Sequence, residues 1–177
     1  MTLHAGSDAA DGTSDSADQL GAAFASLPAI GDPAPAFTLV NQHGEPVALA
    51  ERRGTPVVLV FFPWAFSRVC GDELRNLRGE FGAAGGDVTL LAVSVDSKFA
   101  LRALAEADSL PFDLLSDVWP HGEVARRYGV FDEACGAARR GSFVIDADGV
   151  LRARILSGTN EPRSLDEYRR ALASLDA

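Results

Sequence analysis

The apolar and polar positions of the chain alternate between short apolar runs and longer stretches with helical spacing. Residues 56–62 and 88–95 are nearly continuous apolar runs, as is typical of strands that are covered on both faces. Between them, residues 67–81 place an apolar side chain at every third or fourth position, which predicts a helix with one buried face. This succession favours a sheet that contains parallel strands joined by helices.

Weaker signals of the same kinds continue along the chain, and together they predict an α/β fold with a central mixed sheet and helices on both faces. Ser97 and Ser164 are expected to cap helices, and Glu167 would complete a capping box with Ser164. An Asp-Gly turn within residues 146–149 predicts a late antiparallel hairpin. The further predicted strands are 36–40, 47–50, 112–115, 141–145 and 150–156, and the further predicted helices are 97–107, 122–128 and 164–175.

The chain is predicted to consist of a tail and one domain. Residues 1–29 are rich in Ala, Gly, Ser and Asp and contain no Lys or Arg. Such a segment has little apolar surface to bury, so we expect an acidic, disordered N-terminal tail. Residues 30–177 have the length and apolar content of a single domain.

Charge and composition argue against several classes of protein. With 25 acidic and 16 basic residues the net charge is −9, which disfavours binding to nucleic acid or to an anionic membrane. No apolar run approaches the roughly 20 residues needed to span a bilayer, and no secretory signal pattern is present. Two cysteines make no disulfide framework, and the three histidines are scattered. We therefore expect a cytoplasmic protein without metal or cofactor.

Cys70 is the candidate nucleophile. It closes the stretch PWAFSRVC (63–70), just beyond a buried strand and at the start of a predicted helix. An isolated cysteine most often fills space in a core, but a helix N-terminus stabilises a thiolate, which is the reactive form. Ser67 can present a hydroxyl to the first turn, and Pro63 ends the strand. The aromatic residues Phe62, Trp64 and Phe66 are expected to wall a small dry pocket.

These residues carry a resemblance to the peroxiredoxins. Pro63, Ser67 and Cys70 match that family's active-site signature, Pro-x-x-x-Ser/Thr-x-x-Cys, in full. The segment RRGSFVID (139–146) resembles the second signature, in which an Arg points at the reactive cysteine, and this implies that role for Arg140. GDPAPAFTL (31–39) and SDVWPHGEVARRYGVF (116–131) resemble two further family segments. Within the family, these sequence segments are most similar to the one-cysteine, alkyl hydroperoxide reductase E type.

The resemblance implies a thioredoxin-like fold and a thiol-dependent peroxidase. The Cys70 thiolate would attack hydrogen peroxide or an organic hydroperoxide, with peroxynitrite as a further candidate, and would become a sulfenic acid. Arg140 and the helix N-terminus would stabilise the thiolate and the departing oxygen. We expect Glu73 to pair with Arg140 and orient it. Val69 and Trp119 are further expected lining residues of the substrate pocket.

The resemblance also implies partners. An external thiol would regenerate Cys70, either mycothiol with mycoredoxin or a thioredoxin-like protein. The family commonly forms homodimers or larger homo-oligomers, so a homodimer is expected here.

Cys135 departs from the resembled subgroup, which has no cysteine at this position. It also matches none of the places where two-cysteine peroxiredoxins carry a resolving cysteine. Two interpretations stay open: a surface or half-buried residue standing in for Ala, or an atypical resolving cysteine that acts within the chain or across subunits, in a loop that leads to Arg140.

Two other functions on the same fold are alternatives to a peroxidase. A thioredoxin-like disulfide oxidoreductase needs Cys-x-x-Cys, but Gly71, Asp72 and Glu73 follow Cys70. A redox sensor on the same fold would oxidise at Cys70 without turnover, and the sequence does not separate it from a peroxidase.

Overall fold

The computed structural model describes residues 26–81, 87–158 and 160–175. The predicted disordered tail lies mostly within residues 1–25, outside the described residues, so its disorder stays a prediction. None of the described helices combines the length and the apolar character that crossing a membrane requires.

A seven-stranded mixed sheet forms the centre of the fold, with strand order β2-β1-β5-β4-β3-β8-β9. β3, β4 and β5 run parallel, whereas β1, β2, β8 and β9 add antiparallel pairings. The strands are β1 Thr38–Asn41, β2 Pro46–Ala48, β3 Val57–Phe61, β4 Thr89–Ser94, β5 Asp113–Ser116, β6 Phe131–Asp132, β7 Ala137–Ala138, β8 Gly141–Ile145 and β9 Leu151–Leu156. The helices are α1 Arg68–Phe81, α2 Lys98–Asp108, α3 Glu123–Arg127 and α4 Leu165–Ala173.

Both faces of the sheet are buried, which explains the continuous apolar runs in the sequence. Along β3, Val57, Leu59 and Phe61 belong to one core cluster, and Val58 and Val60 belong to the other. Apolar residues of α1, α2 and α4 pack into the second cluster, and those of α3 pack into the first. The predicted arrangement of a mixed sheet with helices on both faces is therefore confirmed.

Two local predictions were wrong and one was confirmed. Ser97 caps α2, with its hydroxyl accepting the Ala100 N–H at 3.3 Å. The side chain of Ser164 makes no capping hydrogen bond to α4. Its backbone carbonyl already accepts the Glu167 N–H at 3.1 Å, which occupies the donor that a capping box would use. The strand predicted to reach residue 50 ends at Ala48, because a 3₁₀ helix begins at Leu49.

The small ribbon of β6 and β7 was missed, since strands of two residues are too short to show a period. This ribbon turns back through residues 133–136 and delivers the chain to β8. It therefore determines where the segment before Arg140 lies.

The carboxyl ends of β3 and β4 lie side by side, with Phe61 opposite Val93. The loop after β3 is attached to the end of β4, because the Ala65 N–H donates to Asp96 Oδ2 at 2.8 Å. The Ser94 hydroxyl donates to the same oxygen at 2.8 Å. These bonds fix the loop that leads to Cys70 at the edge of the sheet where α/β folds hold their ligands.

Helix α1 provides a test of this packing. Leu77 is buried in the core beneath α1, so Leu77→Ala should lower the free energy of unfolding by about 2–5 kcal/mol. Gly79 is exposed on the same helix, and a Cβ added there would meet no heavy atom within 4 Å. Gly79→Ala should therefore raise the free energy of unfolding by about 0.5–1 kcal/mol. Urea unfolding followed by circular dichroism measures both, and a stabilised Leu77→Ala protein would contradict this packing.

Candidate active site

Cys70 lies in the first turn of α1 and is completely buried. The turn begins at Ser67, whose carbonyl accepts the Gly71 N–H at 2.9 Å. The first N–H groups of a helix lack partners within it and carry its positive dipole end. Cys70 therefore sits where backbone electrostatics favour a negative sulfur.

Strand register brings Arg140 to Cys70. In the antiparallel pair of β3 and β8, Phe61 lies opposite Gly141. The residue before β8 consequently lies beside the loop that follows β3. Arg140 uses this position, and its Nη2 donates a hydrogen bond to Cys70 Sγ at 3.2 Å. The sulfur thus has a cationic donor at hydrogen-bonding distance in a buried environment.

Glu73 holds Arg140 in place. It lies one turn after Cys70 on the same side of α1 and is only 3% exposed. Arg140 Nη1 donates to Glu73 Oε2 at 2.8 Å, as expected from the sequence. The neighbouring Asp72 turns to the surface and pairs with Arg75 at 2.6 Å. Of these two adjacent acids, Glu73 is the one that meets the buried arginine.

A second buried arginine, Arg163, completes the site, and no pattern in the sequence predicts it. Its Nε and Nη2 donate to the two oxygens of Glu73, each at 2.7 Å, and its backbone N–H donates to Oε1 at 2.9 Å. Its Nη1 donates to the Phe61 carbonyl and to Ser142 Oγ, both at 2.9 Å. Arg163 lies in the irregular segment before α4, where a single polar residue carries no periodic signal.

The hydrogen-bonded chain continues to the C-terminal helix. The hydroxyls of Ser142 and Tyr168 are hydrogen-bonded at 2.6 Å. Burial raises the pKa of Tyr168, so its phenol remains neutral. Strand β8 and helix α4 are thereby joined to Glu73 and Arg140 through Arg163.

The cluster contains one carboxylate, that of Glu73, and two guanidinium groups, those of Arg140 and Arg163. Burial would raise the pKa of Glu73, but the hydrogen bonds and charge of Arg163, together with the charge of Arg140, hold it below its ordinary value. Glu73 is therefore ionised and pairs with both guanidinium groups. Arg140 also donates to Cys70 Sγ, so a thiolate at Cys70 would lie next to a cation.

A pocket of about 220 Å³ opens beside this cluster. Five of the residues singled out for catalysis or substrate contact line it, namely Pro63, Trp64, Ser67, Val69 and Arg140. Cys135 lines it as well, together with Asp132 and Arg139, which form an ion pair at 3.3 Å. Within the described ranges, no three His, Cys, Asp or Glu side chains are grouped to hold a metal ion.

Three aromatic residues expected in this pocket do not line it. Phe62 continues the alternation of β3 and is buried in the core under α1. Phe66 is 61% exposed, with a left-handed φ of 63°, and lines a different depression beside α1 and α2. Trp119 is 82% exposed in the segment after β5. The aromatic wall of the pocket is therefore Trp64 alone among the described residues.

Comparison with known proteins shows the family to which the chain belongs. Residues 30–154 match the model of the AhpC/TSA family. The chain belongs to this family and is a peroxiredoxin. Alkyl hydroperoxide reductase E of Mycobacterium tuberculosis is 41% identical over 150 residues, covering 84% of this chain and 98% of that protein. Peroxiredoxin 2 of Thermoplasma acidophilum is 35% identical over 155 residues, covering 82% of this chain and 75% of that protein.

Solved structures give the same result. AhpC of Enterococcus faecalis superimposes with a TM-score of 0.75 at 26% identity, covering 83% of this chain and 92% of that chain. AhpC of M. tuberculosis gives a TM-score of 0.71 at 28% identity, covering 85% and 94%. The peroxiredoxin is a thiol-dependent peroxidase with a thioredoxin-like α/β fold, so the predicted family, fold and class of enzyme are confirmed.

The buried ion-pair cluster predicts a defined loss of stability when Glu73 is altered. Glu73→Gln leaves two buried guanidinium groups without their carboxylate, which should cost about 3–5 kcal/mol in the free energy of unfolding. Glu106→Gln removes only an exposed ion pair with Arg102, so its cost should stay below about 1 kcal/mol. Guanidinium chloride unfolding at neutral pH measures both.

Comparison of the native protein with Glu73→Gln also tests how the free energy of unfolding depends on pH. The folded-state pKa of Glu73 lies below its ordinary value of 4.5. Its stabilising contribution is therefore complete above pH 4.5 and is lost as the pH falls through the lower, folded-state value. The stability difference between the native protein and Glu73→Gln should shrink over that acid range. A difference that stays constant with pH would show that folding does not lower the pKa of Glu73.

Proposed function

We propose that Cys70 is the peroxidatic cysteine of this peroxiredoxin. The observation that carries the proposal is the 3.2 Å hydrogen bond from Arg140 Nη2 to Cys70 Sγ inside a buried cluster of one carboxylate and two guanidinium groups. The thiolate attacks one peroxide oxygen, the O–O bond breaks, and the sulfur becomes a sulfenic acid. The other oxygen takes a proton and leaves as water or an alcohol.

The pocket geometry supports this reaction. A peroxide that enters the pocket meets Arg140 and Ser67 on its lining, next to the buried sulfur. Negative charge moves from the sulfur to the departing oxygen, and the Arg140 guanidinium can follow it with its N–H donors. Preorganised donors of this kind favour the transition state because they need not reorient during the reaction. The Ser67 hydroxyl would donate to a peroxide oxygen bound in this pocket.

Pro63 and Glu73 act by positioning. Pro63 follows the last residues of β3 and forms the pocket wall without contributing an N–H group. Glu73 fixes the plane of the Arg140 guanidinium so that one nitrogen faces Cys70 Sγ.

The substrates we propose are hydrogen peroxide and organic hydroperoxides, with peroxynitrite as a further candidate. The indole of Trp64 and the side chain of Val69 give the pocket an apolar wall, which suits the alkyl group of an organic hydroperoxide. The pocket has less aromatic lining than the sequence predicts, because Phe62, Phe66 and Trp119 lie elsewhere. The support for organic hydroperoxides is correspondingly weaker.

An external thiol returns the oxidised enzyme to its reduced form, and the candidates are mycothiol with mycoredoxin or a thioredoxin-like protein. We also propose a homodimer acting in the cytoplasm. Both cysteines are free thiols in the described structure, which suits a reducing compartment. Two alternatives use the same site: a two-cysteine peroxidase in which Cys135 resolves the sulfenic acid, and a redox sensor that oxidises at Cys70 without turnover.

Replacement of Cys70 tests the proposal. Stopped-flow tryptophan fluorescence should show fast oxidation of the reduced protein by hydrogen peroxide, because Trp64 lines the pocket. Cys70→Ser should lose this phase. The variant keeps the exposed Cys135, so any remaining signal reports the slow oxidation of an ordinary thiol. An unchanged fast phase in Cys70→Ser would refute Cys70 as the peroxidatic residue. Fast oxidation without turnover, when thiol reductants of both kinds are supplied, would favour the sensor.

A further inference from the structure

Cys135 lines the same pocket as Arg140, which donates to Cys70 Sγ. Ser67 and Val69, on the chain leading into Cys70, form part of its lining. The ribbon of β6 and β7 supplies another part, with Asp132 and Cys135. Arg140 joins the two, because it lines the pocket and donates to Cys70 Sγ. The exposed thiol of Cys135 therefore borders the space into which an oxidised Cys70 would emerge.

We propose that Cys135 is the resolving cysteine of this enzyme and forms a disulfide with Cys70 of the same chain. The inference rests on the proposed function, because it needs a sulfenic acid at Cys70. It replaces neither the peroxide step nor the external reductant, but inserts a disulfide between them.

Glu133 pairs with Arg126 at one end of the turn that carries Cys135, and His121 is hydrogen-bonded to the Gly136 carbonyl at the other. The thiol between these two residues is itself held weakly. β6 and β7 pair through only two residues each, and the turn between them contains Gly136 with a left-handed φ of 65°. The Cys135 thiol donates to the Asp132 carbonyl at 4.0 Å, which is a weak interaction that an attacking sulfur gives up at little cost.

The segment that carries Cys70 can open. Cys70 is the third residue of α1, and helix ends fray at small free-energy cost. Gly71 follows it directly, and glycine within a helix weakens it by about 0.5–1 kcal/mol relative to alanine. Oxidation also removes the thiolate charge that the hydrogen bond from Arg140 favours. Unwinding of this turn would carry the sulfenic acid toward Ser67 and Val69, and so into the pocket.

The resolving step balances without a further reagent. The Cys135 sulfur attacks the Cys70 sulfur, the S–S bond forms, and the S–O bond of the sulfenic acid breaks. The hydroxyl group leaves with the Cys135 thiol proton as water. The Cys70 sulfur is reduced and the Cys135 sulfur is oxidised. A disulfide forms only if the two Cα atoms can approach to within about 7 Å, and the buried Cys70 must become accessible to the exposed Cys135. The external thiol then reduces this disulfide.

The experiment traps the sulfenic acid. The reduced full-length chain is mixed with one equivalent of hydrogen peroxide, and samples are quenched over time with a sulfenic-acid probe (dimedone) or with a thiol-alkylating reagent. Intact mass and peptide mapping then identify each product. Cys135→Ser is the test variant, and Ala134→Ser is the matched control because it adds a hydroxyl to the same exposed turn and keeps both cysteines.

The native chain and Ala134→Ser should form a Cys70–Cys135 disulfide at a rate that does not depend on protein concentration. In Cys135→Ser the dimedone-reactive sulfenic acid at Cys70 should last at least about tenfold longer and should overoxidise to the sulfinic acid with excess peroxide. Equal sulfenic acid lifetimes in the native chain and Cys135→Ser would overturn the inference, as would a disulfide that forms only between two chains. Absence of any oxidation at Cys70 in all three proteins would instead refute the proposed function.

Discussion

The paired interaction of Glu73 with two buried arginines is the constraint on which the active site depends. One carboxylate accepts hydrogen bonds from Arg140 and Arg163, and all three side chains are almost completely buried. A buried cation is costly unless it is paired. Glu73 makes the burial of two cations tolerable. One of these cations, Arg140, also donates to Cys70 Sγ, and so the same network that stabilises the fold also favours a negative sulfur.

The topology explains how residues far apart in sequence reach this network. Helix α1 carries Cys70 and Glu73, Arg140 directly precedes β8, and the segment before α4 carries Arg163. Register between β3 and β8 sets the position of Arg140, and Arg163 binds the Phe61 carbonyl at the end of β3. These side chains are therefore all positioned at the carboxyl end of β3. This places the Cys70 thiol at the edge where α/β sheets hold ligands.

The sequence predicted the strands and helices that have long periodic or continuous patterns, and the signature predicted Cys70, Ser67, Pro63 and Arg140 as neighbours of one pocket. Arg163 escaped because a lone polar residue in irregular chain has no period. The sequence predicts more aromatic residues along the pocket than line it in the structure. Hydrophobicity alone does not tell whether Phe62 points to the core or Phe66 to the solvent. The ribbon of β6 and β7 escaped because of its length, and with it the position of Cys135 beside the pocket.

We propose that the Arg140 guanidinium, held by Glu73, activates Cys70. The most direct measurement is the second-order rate constant of hydrogen peroxide reduction in Arg140→Gln, with folding checked by circular dichroism. Loss of one transition-state donor should lower it by about 10²–10³-fold. Arg152→Gln, which removes an exposed arginine paired with Asp146, is the control and should react like the native enzyme. A folded Arg140→Gln protein with a rate constant within about threefold of native would contradict the claim, since such a change corresponds to less than about 1 kcal/mol of transition-state stabilisation.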